Sequence, residues 1–348
     1  MGLEYISSAF SRKKLVNLAL QGGGAHGAFT WGTLDRLVEQ EELQIDGVSG
    51  ASAGAVNAVA LAAGLMEGGP EGARKKLAEV WKKIGKAGSL AKLVTFPVGL
   101  LWPNKNITDA AQKAMQTLTQ HLSPYDFNPM DINPLRNILK DAIDFDALRK
   151  HSPVKLFISA TNASSGRARI FTNDDLTVEA VLASTCLPAL FKAIVIDGEN
   201  YWDGGYSSNP DLLTLIEKTS ASDTLIIQLN PTTRHELPTT QAEILENIDR
   251  ITFNQPLIHE IEIIYRFRRR GGLLAGDKTE RRYQNMRFHL INASDITEKM
   301  DYQSKLSPEK EVLQYLFKSG KKHAGSWLED NVKLVGRQSS ANLLEEFA

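Results

Sequence analysis

Cysteine and long apolar runs are both scarce in this chain of 348 residues. Cys186 is the only cysteine, so an internal disulfide is excluded and a reducing compartment is favoured. No apolar run reaches the roughly 18 residues that a membrane-spanning helix needs. Residues 1–14 lack the apolar centre of a secretory signal. We therefore expect a cytoplasmic protein without a spanning helix.

Charge of either sign is not in excess. The formal net charge is −1, which argues against a general binder of polyanions. Hydrophobic residues make up 42% of the chain and charged residues 23%, as is usual for a globular protein. The sequence contains no internal repeat and no low-complexity tract. A chain of this length is expected to form one large domain or two.

Two glycine-framed loops lie close together near the N-terminus. The first, GGGAHG at 22–27, follows the apolar run 15–20, and the second, GASAG at 50–54, follows the stretch 43–49. Each pattern predicts a strand, a tight turn and a helix. The first loop offers bare backbone N–H groups, and the second offers the hydroxyl of Ser52 on a sharp turn. Together they are the parts of an acyl-transfer site.

The first loop also satisfies the dinucleotide fingerprint G-x-G-x-x-G, and Asp46 lies near the position of a ribose-binding acid. Two observations favour an anion or oxyanion nest instead. The third adjacent glycine, Gly23, is not needed to bind a pyrophosphate. The next predicted strand leads directly into a serine turn, which a nucleotide site does not require. A nucleotide site and a plain tight turn remain the alternatives.

A nucleophilic Ser52 needs a base, for which histidine is the usual choice. Of the seven histidines, only His26 lies in a motif, inside the first glycine loop. Asp203 is the better candidate because it ends a predicted hairpin and precedes Gly204 and Gly205. A carboxylate is a weak base at its ordinary pKa of about 3.9. Asp203 could serve as the base only if burial raises its pKa or if it contacts Ser52 directly. A turn-forming aspartate is the alternative.

The order of predicted elements alternates between strands and helices, which indicates an α/β layered sheet. Asp197-Gly198 predicts a tight hairpin turn. We expect a helix over 240–270 with a break near Pro256, a late strand over 285–292 and a loose tail over 335–348. We divide the chain into an N-terminal arm (1–14), a catalytic core (15–230) that contains an inserted segment (68–134), and a mostly helical C-terminal extension (231–348).

With the two glycine-framed loops and the D-G-G block in this order, the chain resembles the patatin-like phospholipases. The resemblance covers about 15–210 and rests on the loop 22–27, the serine turn 50–54 and the D-G-G block at 203–205, with supporting similarity at 183–191 and at 209–210. It implies a three-layer α/β/α fold with a central, mostly parallel sheet. It also implies a serine esterase of lipid metabolism, a phospholipase A or lysophospholipase with no metal and no cofactor. The residues that it implies are a Ser52–Asp203 dyad, oxyanion donors at Gly22, Gly23, Gly24 and Ala53, and supporting positions His26, Gly27, Gly50, Gly54, Gly204 and Gly205.

One position departs from that family's pattern. The family loop most often has Arg or Lys before its last glycine, where this chain has His26. A neutral His26 gives less electrostatic help to a bound anion, and a structural contact with a neighbouring loop is an equally good interpretation of this residue.

Two segments bear on membrane association. Residues 89–103 are apolar and form either a lid or an ordinary buried segment. The stretch 266–287 has eight basic and two acidic residues, and we expect Arg266, Arg268, Arg269 and Arg270 to contact an anionic membrane surface. A solvated helix end is the alternative. Aromatic residues are too sparse for nucleic acid binding.

Two other functions remain open. One is a serine esterase with a histidine triad, in which His235, His259 or His289 is the base. The other is a non-catalytic module that binds a nucleotide or a lipid. The sequence does not indicate the preferred head group, the acyl position or the oligomeric state.

Overall fold

The computed structural model describes residues 13–94, 123–233, 236–269, 277–300, 302–306 and 308–347. Some predicted features lie partly or wholly outside these residues: most of the N-terminal arm, most of the candidate lid 89–103, and Arg270.

An eight-stranded sheet forms the centre of the molecule, with the strand order β5-β6-β3-β2-β1-β7-β8 and β4 paired with β3. The five strands from β3 to β8 in that order run parallel, while β4, β5 and β6 form antiparallel pairs. The strands are β1 (Lys14–Leu20), β2 (Leu43–Gly50), β3 (Lys155–Asn162), β4 (Ala168–Thr172), β5 (Ile194–Ile196), β6 (Glu199–Asp203), β7 (Asp223–Gln228) and β8 (Arg287–Asn292).

Helices cover both faces of the sheet. They are α1 (Gly27–Leu37), α2 (Ala53–Val94), α3 (Pro124–Phe127), α4 (Pro134–Ala142), α5 (Phe145–His151), α6 (Val178–Ser184), α7 (Leu213–Lys218), α8 (Gln241–Arg269), α9 (Lys278–Asn285), α10 (Ser294–Thr297), α11 (Lys310–Asn331) and α12 (Leu343–Glu346). Short 3₁₀ turns lie at Gly24–His26, Asn173–Asp175, Gly204–Tyr206, Tyr302–Lys305 and Val332–Leu334.

The apolar residues of the strands alternate between two cores. Leu18 and Leu20 of β1 pack in a core with α1 and α2, while Ala19 between them packs in a second core with α7 and α8. Successive side chains on a strand point to opposite faces, so two cores on one strand mean that both faces are covered. The protein is therefore a three-layer α/β/α fold, as the sequence predicts.

The segment predicted as an insertion, 68–134, contributes to the first core in its described part. α2 is interrupted at Gly68 and Gly69, which have non-helical dihedral angles, and it resumes at Pro70. Beyond the interruption, Leu77 and Trp81 are buried in the first core. The short helix α3 also lies in this segment.

Two expectations about the C-terminal extension are wrong. The helix α8 continues through Pro256 without a break, and the buried side chains of Leu257 and Ile261 anchor it beyond the proline. Packing of an apolar face can offset the loss of one helical hydrogen bond. The tail over 335–348 is also not loose, since Leu343 and Phe347 are buried in the second core.

Candidate active site

The two glycine loops meet at the carboxyl ends of neighbouring parallel strands. β1 ends at Leu20 opposite Gly50, the last residue of β2. Parallel strands present their carboxyl ends at one edge of the sheet, where open α/β sheets bind ligands. The two backbones are in close contact there, and only glycine fits at position 54, because a Cβ atom on Gly54 would lie 2.1 Å from the carbonyl oxygen of Leu20.

Ser52 has the strained backbone that a nucleophile turn produces. Its φ angle is +53°, in the left-handed region that residues other than glycine rarely adopt. Its N–H donates to Ser184 Oγ at 3.0 Å, and its carbonyl accepts hydrogen bonds from Ala55 and Val56. Both backbone groups are therefore occupied, and the turn is fixed at the start of α2.

Asp203 reaches Ser52 because of the pairing of β3. Ile158 of β3 lies opposite Gly50 of β2, and Ala160, two residues farther along β3, lies opposite Asp203 of β6. β4 pairs with 157–161 of β3 and overlaps the pairs that β3 makes with β2 and with β6, so β2 and β6 share the other edge of β3. Asp203 therefore continues the line of β2 just beyond its end, next to the serine turn. The hairpin that delivers it has the predicted tight turn, with φ of +54° at Asp197 and +82° at Gly198.

The carboxyl group of Asp203 is fully buried. Oδ1 accepts a hydrogen bond from the Gly205 N–H at 2.8 Å, while Oδ2 has no hydrogen-bond partner within the described residues. Burial raises the pKa of Asp203 to about 7, against the opposing effects of the Gly205 N–H and the Ser52 side chain. The Ser52 hydroxyl is thus near enough to influence this carboxylate, although the pair does not form a hydrogen bond of standard geometry.

Three backbone N–H groups around Ser52 can receive a negative charge. Those of Gly23, Gly24 and Ala53 have no hydrogen-bond partner among the residues that the structure describes. The N–H of Gly22 is different, because it donates to Asn209 Oδ1 at 2.7 Å. The prediction of Gly22 as an oxyanion donor is therefore wrong: its N–H holds the loop in place instead.

The segment 302–305 packs against the first glycine loop. Gly24 has a φ angle of +57°, and a Cβ atom there would lie 2.2 Å from the carbonyl oxygen of Lys305. His26 is buried, and its Nε2 lies 2.7 Å from Ser304 Oγ. Burial, with the nearby Lys305, lowers the pKa of His26 to about 3, so the ring is neutral. His26 therefore joins two segments, as in the structural interpretation.

Two cavities open at Ser52. The larger has a volume of about 290 Å³, and its apolar lining includes Val56, Trp81, Ile84, Leu135, Ile138 and Phe191. The smaller has a volume of about 160 Å³, and its lining combines the polar Tyr206, Asn230, Asp249 and Lys305 with the apolar Leu187, Leu190, Phe253 and Leu306. Ser52, Gly24 and Lys305 line both cavities. The site therefore offers a mostly apolar larger compartment and a smaller compartment of mixed polarity at one hydroxyl.

The histidines proposed as alternative bases are placed elsewhere. His259 is exposed on α8, and His235 lies outside the described residues. His289 is buried and lies 3.1 Å from Asp223, which begins β7 at the opposite end of the sheet from Ser52. No histidine of the described chain lines either cavity at Ser52.

The ribose-binding acid of the nucleotide alternative is also occupied. Asp46 Oδ2 accepts hydrogen bonds from the backbone N–H groups of Ser220 and Ala221.

Within the described parts of the chain, no group of three or more His, Cys, Asp or Glu residues could hold a metal ion. No helix in those parts is long and apolar enough to cross a membrane.

The predicted membrane patch is partly an internal contact. The Arg268 guanidinium is half-buried, lies 4.8 Å from the centre of the Tyr265 ring and donates to the carbonyl of Met286. Its inclusion in a membrane-facing patch is therefore wrong. Arg266 and Arg269 are exposed, and Arg266 forms an ion pair with Glu262 at 3.7 Å.

Sequence reasoning missed Ser184, Asn209, Asn230 and Lys305 as members of the site. Ser184 and Asn209 lie in the supporting stretches 183–191 and 209–210, for which the sequence predicts no role. Asn230 and Lys305 lie in no motif, and all four residues reach the glycine loops from distant segments.

A family model described as Patatin-like phospholipase matches residues 18–216. The chain is similar to the solved structure of VipD from Legionella pneumophila, with 16% identity and a TM-score of 0.40, over 91% of this chain and 67% of that one. It is also similar to the ExoU–SpcU complex from the type III secretion system of Pseudomonas aeruginosa, with 19% identity and a TM-score of 0.38, over 92% of this chain and 52% of that one. The chain thus spans about half the length of the latter. None of the curated proteins compared with it matches.

Proposed function

The chain belongs to the patatin-like phospholipase family, and we propose that it is a lipid acyl hydrolase that cleaves carboxylic esters with Ser52 as the nucleophile and Asp203 as the base. The observation that carries this proposal is the position of Ser52, on a strained turn at the junction of an apolar cavity and a smaller cavity of mixed polarity, beside a buried carboxylate.

The first step forms an acyl-enzyme. Ser52 Oγ attacks the ester carbonyl carbon while its proton moves to the Asp203 carboxylate. The carbonyl oxygen becomes an oxyanion that the N–H groups of Gly23, Gly24 and Ala53 stabilise. The intermediate collapses, the bond from the carbonyl carbon to the leaving oxygen breaks, and Asp203 returns the proton to the leaving alcohol.

The second step releases the acid. Asp203 takes a proton from a water molecule, whose oxygen attacks the acyl carbon in the same oxyanion site. The second intermediate then expels Ser52 Oγ, which regains a proton from Asp203. A raised pKa suits both roles, because the group must accept and donate a proton near neutral pH.

The cavities support an assignment of the two halves of the substrate. An acyl chain fits the apolar cavity, because burying its methylene groups there removes apolar surface from water. The leaving alcohol then occupies the smaller cavity, which contains the polar Tyr206, Asn230, Asp249 and Lys305. One acyl chain and a polar leaving alcohol match a lysophospholipid, or one acyl ester of a phospholipid.

Labelling of Ser52 with a fluorophosphonate tests the proposal, since only an activated serine reacts. We expect labelling and ester hydrolysis by the wild-type chain, and a loss of at least about a thousandfold in hydrolysis for Ser52→Ala and for Asp203→Asn. A folded Ser52→Ala protein with wild-type activity would refute the assignment. A chain that is not labelled but binds lipid would favour the non-catalytic module.

Contact with an anionic membrane surface is a second part of the proposal. Because Arg268 makes internal contacts, the proposed membrane contact rests on the exposed Arg266 and Arg269 at the end of α8. Sedimentation with liposomes that contain anionic lipid should weaken in the double variant Arg266→Glu, Arg269→Glu. Lys75→Glu with Lys150→Glu, which lie on exposed parts of α2 and α5, is the control. Equal sedimentation of all three proteins would refute this contact.

A further inference from the structure

One short segment, 184–186, contacts the backbone of both proposed catalytic residues. Ser184 is the last residue of α6, and its Oγ accepts a hydrogen bond from the Ser52 N–H at 3.0 Å. Two residues later, the carbonyl oxygen of Cys186 accepts a hydrogen bond from the Asp203 N–H at 2.8 Å. Ser52 and Asp203 come from separate parts of the chain, so the segment 184–186 is a shared support for their relative position.

The segment 184–186 is itself held firmly. The last turn of α6, 181–184, is fully buried, and Cys186 Sγ donates to the carbonyl oxygen of Lys192 at 3.1 Å. Thr185 lies between the two contacting residues, but its hydroxyl group donates back to carbonyl groups of its own helix. The hydroxyl group that reaches from this end of α6 to the serine turn is therefore that of Ser184.

The hydrogen bond to Ser184 acts on the strained dihedral angle of Ser52. The φ angle of Ser52 is +53°, and a residue other than glycine keeps such a conformation only where its surroundings impose it. The carbonyl of Ser52 is held by the N–H groups of Ala55 and Val56, and its N–H is held by Ser184. Because φ describes rotation about the bond from N to Cα, holding both backbone groups also fixes the direction in which the Ser52 side chain points.

The direction of that side chain matters because a proton has to pass from Ser52 Oγ to the Asp203 carboxylate. We propose that Ser184 is a positioning residue, whose hydroxyl group keeps Ser52 Oγ within reach of Asp203. Ser184 lines neither of the two cavities at Ser52, so it acts through the serine turn and not through the substrate. This inference rests on the proposed function, because it assumes that Ser52 is the nucleophile and Asp203 the base.

Ser184→Ala removes the acceptor of the Ser52 N–H. The value of kcat for p-nitrophenyl octanoate should fall about tenfold to a hundredfold, because a small displacement of a reacting group is enough to lose its alignment. KM should stay within about threefold of wild type, since the cavities are unchanged. Ser49→Ala is the matched control: Ser49 is also a fully buried serine, and its Oγ has no hydrogen-bond partner among the residues that the structure describes. Its kcat and KM should be those of wild type.

The pH profile separates positioning from a general loss of structure. Burial raises the pKa of Asp203, while the Gly205 N–H and the Ser52 side chain lower it. If Ser52 moves away in Ser184→Ala, the second of these lowering contacts is lost, and the midpoint of kcat/KM should move to higher pH by about half a unit or more. Ser49→Ala should keep the wild-type midpoint. A folded Ser184→Ala protein with wild-type kcat would overturn the inference, and so would a lower kcat with an unchanged midpoint.

Hydrogen exchange in the wild-type chain gives a test that needs no variant. Ser52 and Ala53 are neighbours that are each 7% exposed, but within the described chain only the Ser52 N–H has a hydrogen-bond acceptor. Relative to its intrinsic rate, the Ser52 amide should exchange at least about tenfold more slowly than that of Ala53. Equal protection of the two amides would overturn the inference. If Ser52→Ala hydrolyses p-nitrophenyl octanoate as fast as wild type, the proposed function itself has failed, which is a separate result.

Discussion

Gly22 and Asn209 are joined by a hydrogen bond of 2.7 Å from the backbone N–H of the glycine to Oδ1 of the asparagine. The same asparagine donates from Nδ2 to the carbonyl of Phe253 in α8 at 2.9 Å. Both contacts are buried. Asn209 therefore connects the first glycine loop to a helix of the C-terminal extension, and the position of the loop depends on residues far outside the serine turn.

Asn209→Ala should lower kcat without a large change in KM. The substitution leaves the Gly22 N–H buried without a partner, at a cost of about 1–3 kcal/mol. The donors of Gly23 and Gly24 then lose their fixed geometry, and a fall of about tenfold to a hundredfold in kcat is expected. Steady-state kinetics on p-nitrophenyl octanoate measure kcat and KM for the variant and for wild type.

Asn200→Ala, at an exposed position on β6, is the matched control and should retain wild-type kcat. An Asn209→Ala protein that is folded and keeps wild-type kcat would show that the hydrogen bond to Gly22 does not position the first glycine loop.

The raised pKa of Asp203 predicts how the activity depends on pH. The carboxylate acts as a base only when it is deprotonated, and its pKa in the folded protein is about 7. The value of kcat/KM should therefore rise about tenfold per pH unit below pH 7 and level off above it. Hydrolysis of p-nitrophenyl octanoate from about pH 5 to about pH 9 measures this profile.

Glu260 is the main competing cause of such a profile, since burial and the neighbouring Asp211 raise the pKa of its carboxyl group to about 8. The rising limb should persist in Glu260→Gln. A midpoint near the ordinary aspartate value of about 4 in wild type, or a limb that disappears in Glu260→Gln, would exclude Asp203 as the titrating base.

The catalytic blocks could be predicted from the sequence because each is set by local backbone chemistry. The glycine loop, the serine turn and the Asp197-Gly198 hairpin all require conformations that few residues adopt, so they leave a signal in short stretches. The structure shows Ser52 and both hairpin residues with positive φ angles. The alternation of strands and helices likewise predicted the sheet that brings the three blocks to one edge.

The supporting residues could not be predicted in the same way. Asn209, Asn230 and Lys305 act through contacts with residues at least 44 positions away, and asparagine and lysine are common on any surface. Arg268 shows the opposite error, because a basic run suggests exposure although packing on Tyr265 decides the position of this side chain. Tertiary packing also overrides the local effect of Pro256 in α8.

Asp203→Asn should change the stability of the protein as a function of pH. The pKa of Asp203 is raised from an ordinary value near 4 to about 7 in the folded state. The stabilising effect of the protonated carboxyl group is complete below the unfolded pKa, and it is lost as pH rises through the folded pKa. The asparagine variant does not ionise, so it should not lose this contribution between about pH 4 and about pH 7.

Urea unfolding at several pH values measures the difference. Three pKa units correspond to about 4 kcal/mol, which is an upper estimate for the extra loss in wild type. Asp174→Asn, at an exposed position, is the control and should follow the wild-type curve. Parallel curves for wild type and Asp203→Asn would mean that the carboxyl group of Asp203 does not ionise differently in the folded and unfolded states.

Filling the apolar cavity should shift the preference for acyl chain length. Ile138 lines that cavity from α4 and is nearly buried. A tryptophan at this position occupies space that the end of an acyl chain would use, so long chains lose favourable burial while short chains still fit. We expect the ratio of kcat/KM for p-nitrophenyl octanoate to that for p-nitrophenyl acetate to fall about tenfold or more in Ile138→Trp.

Ile132→Trp is the control because Ile132 is 63% exposed and does not line the cavity, so its ratio should match that of wild type. If Ile138→Trp is folded and its ratio is unchanged, the acyl chain binds elsewhere, and the assignment of the two cavities to acyl chain and leaving alcohol is wrong.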